Sequence, residues 1–180
     1  MRVLTRLLPI ACLMVGGHTL SPPVGAVAAE PAPPAPEARR LLAKERVGTL
    51  STTSVAMPGY PFGSLTPYAL DAQGRPLILI STLSQHTRNI QADARVSLLV
   101  YDTAHADVHD APRLTWVGRA VPVPAGDTQN RGRYLARFPE AERFFKAHDF
   151  RLYHLTPVRG YYIGGFGRIF WIEPKDLAAN

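Results

Sequence analysis

The sequence predicts an α+β domain built on one antiparallel sheet of six or seven strands, closed into a barrel and flanked by short helices. Three observations predict it. Short extended runs recur along the chain, the most apolar being Pro76–Ser81 (Pro-Leu-Ile-Leu-Ile-Ser) and Arg95–Tyr101 (Arg-Val-Ser-Leu-Leu-Val-Tyr). Turn-forming clusters such as Asp71-Ala72-Gln73-Gly74 separate them. Stretches with helical spacing are few and short. There is no internal repeat, and 180 residues leave room for one domain and a targeting segment.

Residues 1–29 divide into a basic start (Arg2, Arg6), an apolar run from Leu7 to Gly17 and a small-residue stretch ending Ala26-Val27-Ala28-Ala29. These are the parts of a secretory signal peptide cleaved after Ala28 or Ala29. The apolar run is shorter than the ~20 residues that span a bilayer, so the expectation is a periplasmic or secreted protein with no membrane association after cleavage. Cys12 is the only cysteine and falls in this segment, which leaves the exported domain without disulfides and dependent on packing. Loss of Arg2 and Arg6 lowers the formal charge from +6 to about +4, spread along the chain rather than in a block. That distribution gives no sign of nucleic-acid binding and suits a small anionic ligand such as a phosphate ester.

Residues 30–37 carry Pro31, Pro33, Pro34 and Pro36 and read as an extended tether, with the domain occupying 38–180. Glu37 to Val47 spaces Leu41, Leu42 and Arg46 as a short amphipathic helix that Gly48 ends. Thr49–Val55 is a strand, 57–63 (Met-Pro-Gly-Tyr-Pro-Phe-Gly) a turn by composition, and Ser64–Leu70 extended again. After the 71–74 hairpin comes the Pro76–Ser81 strand, then a helix through Ala92 whose first-turn amide Ser84 can cap with its hydroxyl. The Arg95–Tyr101 strand leads through a polar loop, 102–112, to a long strand, Arg113–Val123. Asn130–Phe138 and Glu140–Ala147 have helical spacing broken by Pro139. Leu152–Ile163 and Gly167–Ile172 close the domain as strands joined through Gly164-Gly165-Phe166.

Several of these segments carry a resemblance: 61–64 (Pro-Phe-Gly-Ser), 77–81 (Leu-Ile-Leu-Ile-Ser), 84–90 (Ser-Gln-His-Thr-Arg-Asn-Ile), 93–99 (Asp-Ala-Arg-Val-Ser-Leu-Leu), 112–120 and 164–172. Together they resemble the pyridoxamine 5'-phosphate oxidase-like split β-barrels, and within them the HugZ-like and CREG-like branch. The resemblance implies a split barrel of the FMN-binding kind, a homodimer, and FMN at the dimer interface with its phosphate near the strand-to-helix junction. A helix N-terminus suits an anion there, since it offers free amides and the positive end of the helix dipole. Ser84 and Thr87 would add hydroxyls, Arg88 a charged fork, Asn89 an amide, and Ser64 and Ser81 would lie on strand ends nearby. His86 stands where oxidase relatives carry a phosphate-binding lysine and Gln85 where they carry an arginine, which implies weaker flavin binding or a changed ligand. Arg168 and Trp171 would sit beside the isoalloxazine ring of the partner's flavin, while the alternative for the aromatic, glycine-rich ending is a tight bend that fills the core.

Asp102, His105, Asp107, His109 and Asp110 share one loop but match no familiar metal spacing, and no metal is expected. His148 and His154 flank the start of a closing strand and are candidate axial ligands for heme, set against ordinary hydrogen-bonded histidines. The HugZ-like resemblance associates heme ligation with a histidine near the C-terminal end, and this chain ends Asp176-Leu177-Ala178-Ala179-Asn180 without one. No nucleophile and base pair stands out, so any chemistry would be the cofactor's. The leading expectation is therefore an exported, FMN-dependent oxidoreductase of a small substrate. The alternatives are heme binding of the HugZ kind and a CREG-like binding module without cofactor.

Overall fold

The computed structural model describes residues 34–147, 149–165 and 167–177. The signal-peptide assignment, residues 30–33 of the tether, His148 and Phe166 lie outside the described residues. Seven strands make one antiparallel sheet: β1 (Val47–Thr53), β2 (Pro61–Leu70), β3 (Pro76–Ser81), β4 (Arg95–Tyr101), β5 (Arg113–Pro122), β6 (Phe150–Ile163) and β7 (Ile169–Ile172). Their order is β3-β2-β1-β4-β5-β6-β7, and pairing of β3 with β6 closes the first six into a barrel. The fold class predicted from sequence is thus observed, with β7 as an extra strand laid on the far end of β6.

The fourteen residues of β6 make closure possible. Its start, Phe150–His154, pairs with β3, while Tyr153–Ile163 pairs with β5 and Gly160–Ile163 with β7. The strand is long enough to serve three neighbours in succession. The barrel is split elsewhere: β2 pairs with β3 only over Tyr68–Leu70, and below that point residues 61–67 stay with β1 while 79–81 stay with β6.

Helices close both ends and cover one side. Helix α1 (Ala35–Lys44) sends Ala35, Ala38, Leu41 and Leu42 into the interior cluster around Trp116, Tyr68 and Leu98. It starts two residues earlier than the spacing predicts, inside the stretch read as tether, because Pro36 sits at a first-turn position where its missing N–H costs nothing. Its last carbonyls, of Ala43, Lys44 and Glu45, all accept from Arg137. Helix α2 (Gln85–Ala92) plugs the opposite end, with Thr87, Asn89 and Ile90 buried. Helix α3 (Thr128–Arg137), a 3-10 turn (Pro139–Ala141) and helix α4 (Glu142–Lys146) pack Tyr134, Phe138 and Phe145 over the outward side chains Leu77, Leu79 and Leu152. A four-residue helix, α5 (Pro174–Leu177), ends the described chain with Leu177 in the core. No helix among the described residues is long and apolar enough to cross a membrane.

The other side of the barrel is bare among the described residues. Outward positions of adjacent strands line up by register into a row, Leu65, Thr49, Leu99, Thr115, Tyr161 and Trp171. Leu65 is 78% exposed and Trp171 50%, and Val47, Tyr101 and Ile169 are exposed on the same side.

Candidate functional site

The strand-to-helix junction forms, but its polar groups are largely spent within the chain. Ser84 is the N-cap residue of α2, as expected, yet its hydroxyl caps no amide. It lies 2.7 Å from the Ser81 carbonyl and 2.8 Å from Thr87 Oγ1, and the Thr87 hydroxyl also reaches that carbonyl at 2.6 Å. Two protons serve three contacts, so this knot welds the end of β3 to the helix start and leaves neither hydroxyl pointing at a ligand. The expected capping bond is corrected accordingly: a strand carbonyl competes successfully for the serine proton. Ser81 Oγ contacts Asp149 Oδ2 at 2.6 Å and accepts from the Leu83 amide.

Asn89 is fully buried. Its Oδ1 accepts from the Val55 amide at 3.0 Å and from Gln85 Nε2 at 2.8 Å, and its Nδ2 donates to Thr52 Oγ1 at 2.9 Å. The side chain read as a phosphate donor is thus a brace between α2, β1 and the loop that follows β1. Arg88 is exposed and makes no ion pair among the described residues. Ser64 lies inside β2 rather than at its end. Among the described residues, Ser64 Oγ and His86 Nε2 are buried without hydrogen-bond partners.

Arg168 and Trp171 are not brought to this junction within one chain. Trp171 pairs with Tyr161 on β6, whereas the junction abuts Phe150 at the other end of the same strand. The eleven residues between them amount to about 36 Å of extended strand. Arg168 Nη2 donates to both carboxylate oxygens of Glu37 (3.1 and 3.2 Å), and Trp171 packs on Tyr161 (4.7 Å between centroids) under the Arg159 guanidinium.

A second locus was not anticipated from sequence. Next to the apolar row on the bare side, Gly63, Ser51 and Ser97 are cross-strand neighbours and form a floor of small residues. Ser51 and Ser97 line a groove of about 400 Å³ together with Thr53, Tyr60, Pro61 and Arg95, within the ~300–1,000 Å³ typical of ligand sites. Its basic rim comes from Arg95 and the directly opposite Arg119. Asp93 takes two hydrogen bonds from Arg95 Nε and one from Nη2, and that pairing holds the Asp93 carboxyl down at about 2. The trio of Arg95, Asp93 and Arg119 keeps one net positive charge at the groove's end. Ser51 is far in sequence from Arg95 and Ser97; the alternating small and polar residues at 49, 51 and 53 and at 95 and 97 were the available signal.

The histidines divide by burial. His105 and His109 lie in the exposed 102–112 loop, where Asp102 pairs with Lys44 at 2.5 Å. Among the described residues no group of three or more His, Cys, Asp and Glu side chains is disposed to hold a metal ion. His154, on β6, has Nδ1 buried 3.5 Å from Asp71 Oδ2 without a hydrogen bond. Burial holds both His86 and His154 below the ordinary imidazole value; for His154 the Arg75 charge adds to this and Asp71 opposes it. A depressed folded-state value means that the unfolded chain binds more protons below ~6.5. Stability is therefore present above that pH and lost as pH falls through the folded values. The denaturation midpoint should drop between about pH 7.5 and about pH 5.5, and replacing both histidines with asparagine should flatten that dependence. An unchanged slope in the double variant would assign the acid sensitivity to other groups.

Residues 31–178 match the sequence profile of the family described as CREG, beta-barrel. The chain is 33% identical over 138 residues to the chloroplastic heme oxygenase HOZ of Arabidopsis thaliana, covering 76% of this chain and 42% of HOZ. It is 26% identical over 136 residues to the heme oxygenase HutZ of Vibrio cholerae, covering 72% of this chain and 76% of HutZ. Among solved structures, a heme-binding protein from Mycobacterium smegmatis superposes with a TM-score of 0.73 at 29% identity, over 79% of this chain and 59% of that one. The chain thus spans less than half the length of HOZ.

Proposed function

The chain belongs to the CREG β-barrel family, and on that premise we propose that it is an exported heme-binding protein in which two copies meet through the bare side of the barrel and enclose the ligand there. The observation that carries the reading is the 33% identity to HOZ across three quarters of the chain, a relative named for heme. HutZ and the mycobacterial heme-binding protein support it. The FMN oxidoreductase reading preferred from sequence gives way on two grounds. Those relatives are named for heme, and Ser84, Thr87 and Asn89, three of the groups assigned to the flavin phosphate, are engaged inside the chain.

The residues of the groove fit a heme. A flat macrocycle is accommodated by the Gly63, Ser51 and Ser97 floor, and its apolar edge by the neighbouring Leu65 and Leu99. Two propionates match the positive end at Arg95 and Arg119, where charge-assisted hydrogen bonds are the strong kind. Bound heme supplies an iron centre and a strong visible chromophore. The protein's part is to hold the ring, orient its propionates and exclude water, with the second copy as the lid.

Hemin titration of the protein purified after export tests this. A Soret band saturating near one heme per chain is expected, and Leu99→Arg, which places a charge in the middle of the bare face, should shift light scattering from dimer to monomer and weaken hemin binding about tenfold or more. A protein that ignores hemin but retains a stoichiometric flavin spectrum would restore the FMN reading. Decay of the Soret band under reductant and air would extend the reading to heme degradation.

A further inference from the structure

Among the residues lining the groove is Tyr60, and its position is fixed by a turn rather than by a helix or strand. Met57, Pro58, Gly59 and Tyr60 form a β-turn closed by the Tyr60 amide on the Met57 carbonyl at 3.1 Å, with Gly59 at φ +85°. Pro at the second position and a positive-φ glycine at the third make it a type II turn, one of the stiffer connections a chain can use. It is held from both sides. The Ser54 amide donates to the Tyr60 carbonyl at 3.0 Å and Ser54 Oγ accepts from the Met57 amide at 3.0 Å. The buried Asn89 side chain anchors Val55.

This framework presents Tyr60 at the groove, 63% exposed, and its hydroxyl makes no hydrogen bond among the described residues. A large aromatic side chain held out of the core on a braced turn, with a free phenol beside a basic rim, is poorly explained by folding alone. The other candidates for iron are worse placed. His86 and His154 each bury a ring nitrogen, and neither is among the residues lining the groove. His105 and His109 follow Tyr101, at the opposite end of β4 from Arg95, about 20 Å along the strand. Met57 shares the turn and is 59% exposed, but a thioether is a soft ligand, and ferric heme, the form stable in an oxidising compartment, favours the harder phenolate oxygen.

We propose that the Tyr60 phenolate is the protein ligand of ferric heme in this chain, with the Arg95 and Arg119 end of the groove compensating the negative charge. The assignment rests on the heme reading above. Ligation exchanges the phenolic O–H bond for an O–Fe bond and releases one proton to solvent, with no change in oxidation state. The site therefore takes ferric heme in preference to ferrous heme, and reduction weakens it.

Hemin titrations of the full exported protein, its Tyr60→Phe and Met57→Leu variants and a His86→Ala/His154→Ala double variant test the assignment, each read by absorbance and by resonance Raman. Expected are phenolate modes in the wild type, their loss in Tyr60→Phe with affinity weakened about tenfold or more, and their retention in the other two. Tyr60 is exposed, so the phenylalanine variant should fold, and its circular dichroism checks that it does. A wild-type spectrum that Tyr60→Phe leaves unchanged overturns the ligand assignment while keeping heme binding, and a spectrum that changes only in Met57→Leu or in the histidine variant hands the iron to that residue. A wild type that binds no hemin overturns the heme reading itself.

Discussion

Replacing Asn89 with alanine is expected to destabilise the domain by about 3 kcal/mol, lowering its melting temperature by about 6–12 °C. Three partners lose a bond at once: the Val55 amide, Gln85 Nε2 and Thr52 Oγ1. Gln85 can turn to solvent, since it is only half-buried, but Thr52 is buried and the Val55 amide faces the vacated space. A buried donor left alone costs about 1–3 kcal/mol, and the truncated side chain adds a small void. The effect reaches the groove, because the same amide fixes the loop that carries Tyr60. Hemin affinity should therefore fall with stability in Asn89→Ala, whereas a variant destabilised on the helix-covered side should keep its affinity at temperatures where it is folded. Chemical denaturation read alongside hemin titration checks both. An Asn89→Ala protein within about 0.5 kcal/mol of wild type would mean that water replaces the amide and that α2 does not brace the loop.

Asn89 also shows where the sequence was informative and where it was not. The strands Pro76–Ser81 and Arg95–Tyr101 have the predicted limits, because a short apolar run bounded by turn residues is written in consecutive residues; that the second is buried on one face only, with Leu99 and Tyr101 exposed, was not. The α2 start at Ser84 was legible for the same reason. The direction of the Ser84 hydroxyl was not, since the competing acceptor, the Ser81 carbonyl, is positioned by β3 rather than by the helix. Polar residues in a helix N-terminal turn look alike from sequence whether they face a ligand or a neighbouring strand. Pairing decided between them here, as Asn89 turned inward to Thr52, thirty-seven positions away. Closure of the barrel depends on β6 reaching β3 across about seventy residues, and the groove depends on the register of β1 with β4; neither contact has a local signature. Helix α5 was missed because four residues are too few for a period to register.

The second large effect is expected at Gly118, and it is steric. Gly118 has no positive φ, so no conformational penalty attaches to another residue there. What forbids a side chain is β6. Val117 pairs with Arg159 but Gly118 with Pro157, so Val158 is an extra residue and the strand bulges toward β5. Pro157 cannot donate to the ladder, which makes this the place where a bulge is least costly. A Cβ on Gly118 would lie 2.3 Å from the Thr156 carbonyl oxygen and 3.2 Å from Trp116 Nε1. Trp116 is fully buried and donates to the Leu155 carbonyl at 3.0 Å, so neither neighbour can withdraw without breaking the core. Gly118→Ala should cost about 3 kcal/mol or more, enough to lower soluble yield in a domain of ordinary stability. Gly63→Ala supplies the contrast, because its Cβ would meet nothing closer than Thr49 Cγ2 at 3.8 Å, and its unfolding free energy should stay within about 0.5 kcal/mol of wild type. Equal stability of the two variants would show that the bulge can migrate along β6. The β5–β6 register would then be set by the interior side chains on either side of it, Leu114 and Leu155 among them, rather than by the glycine.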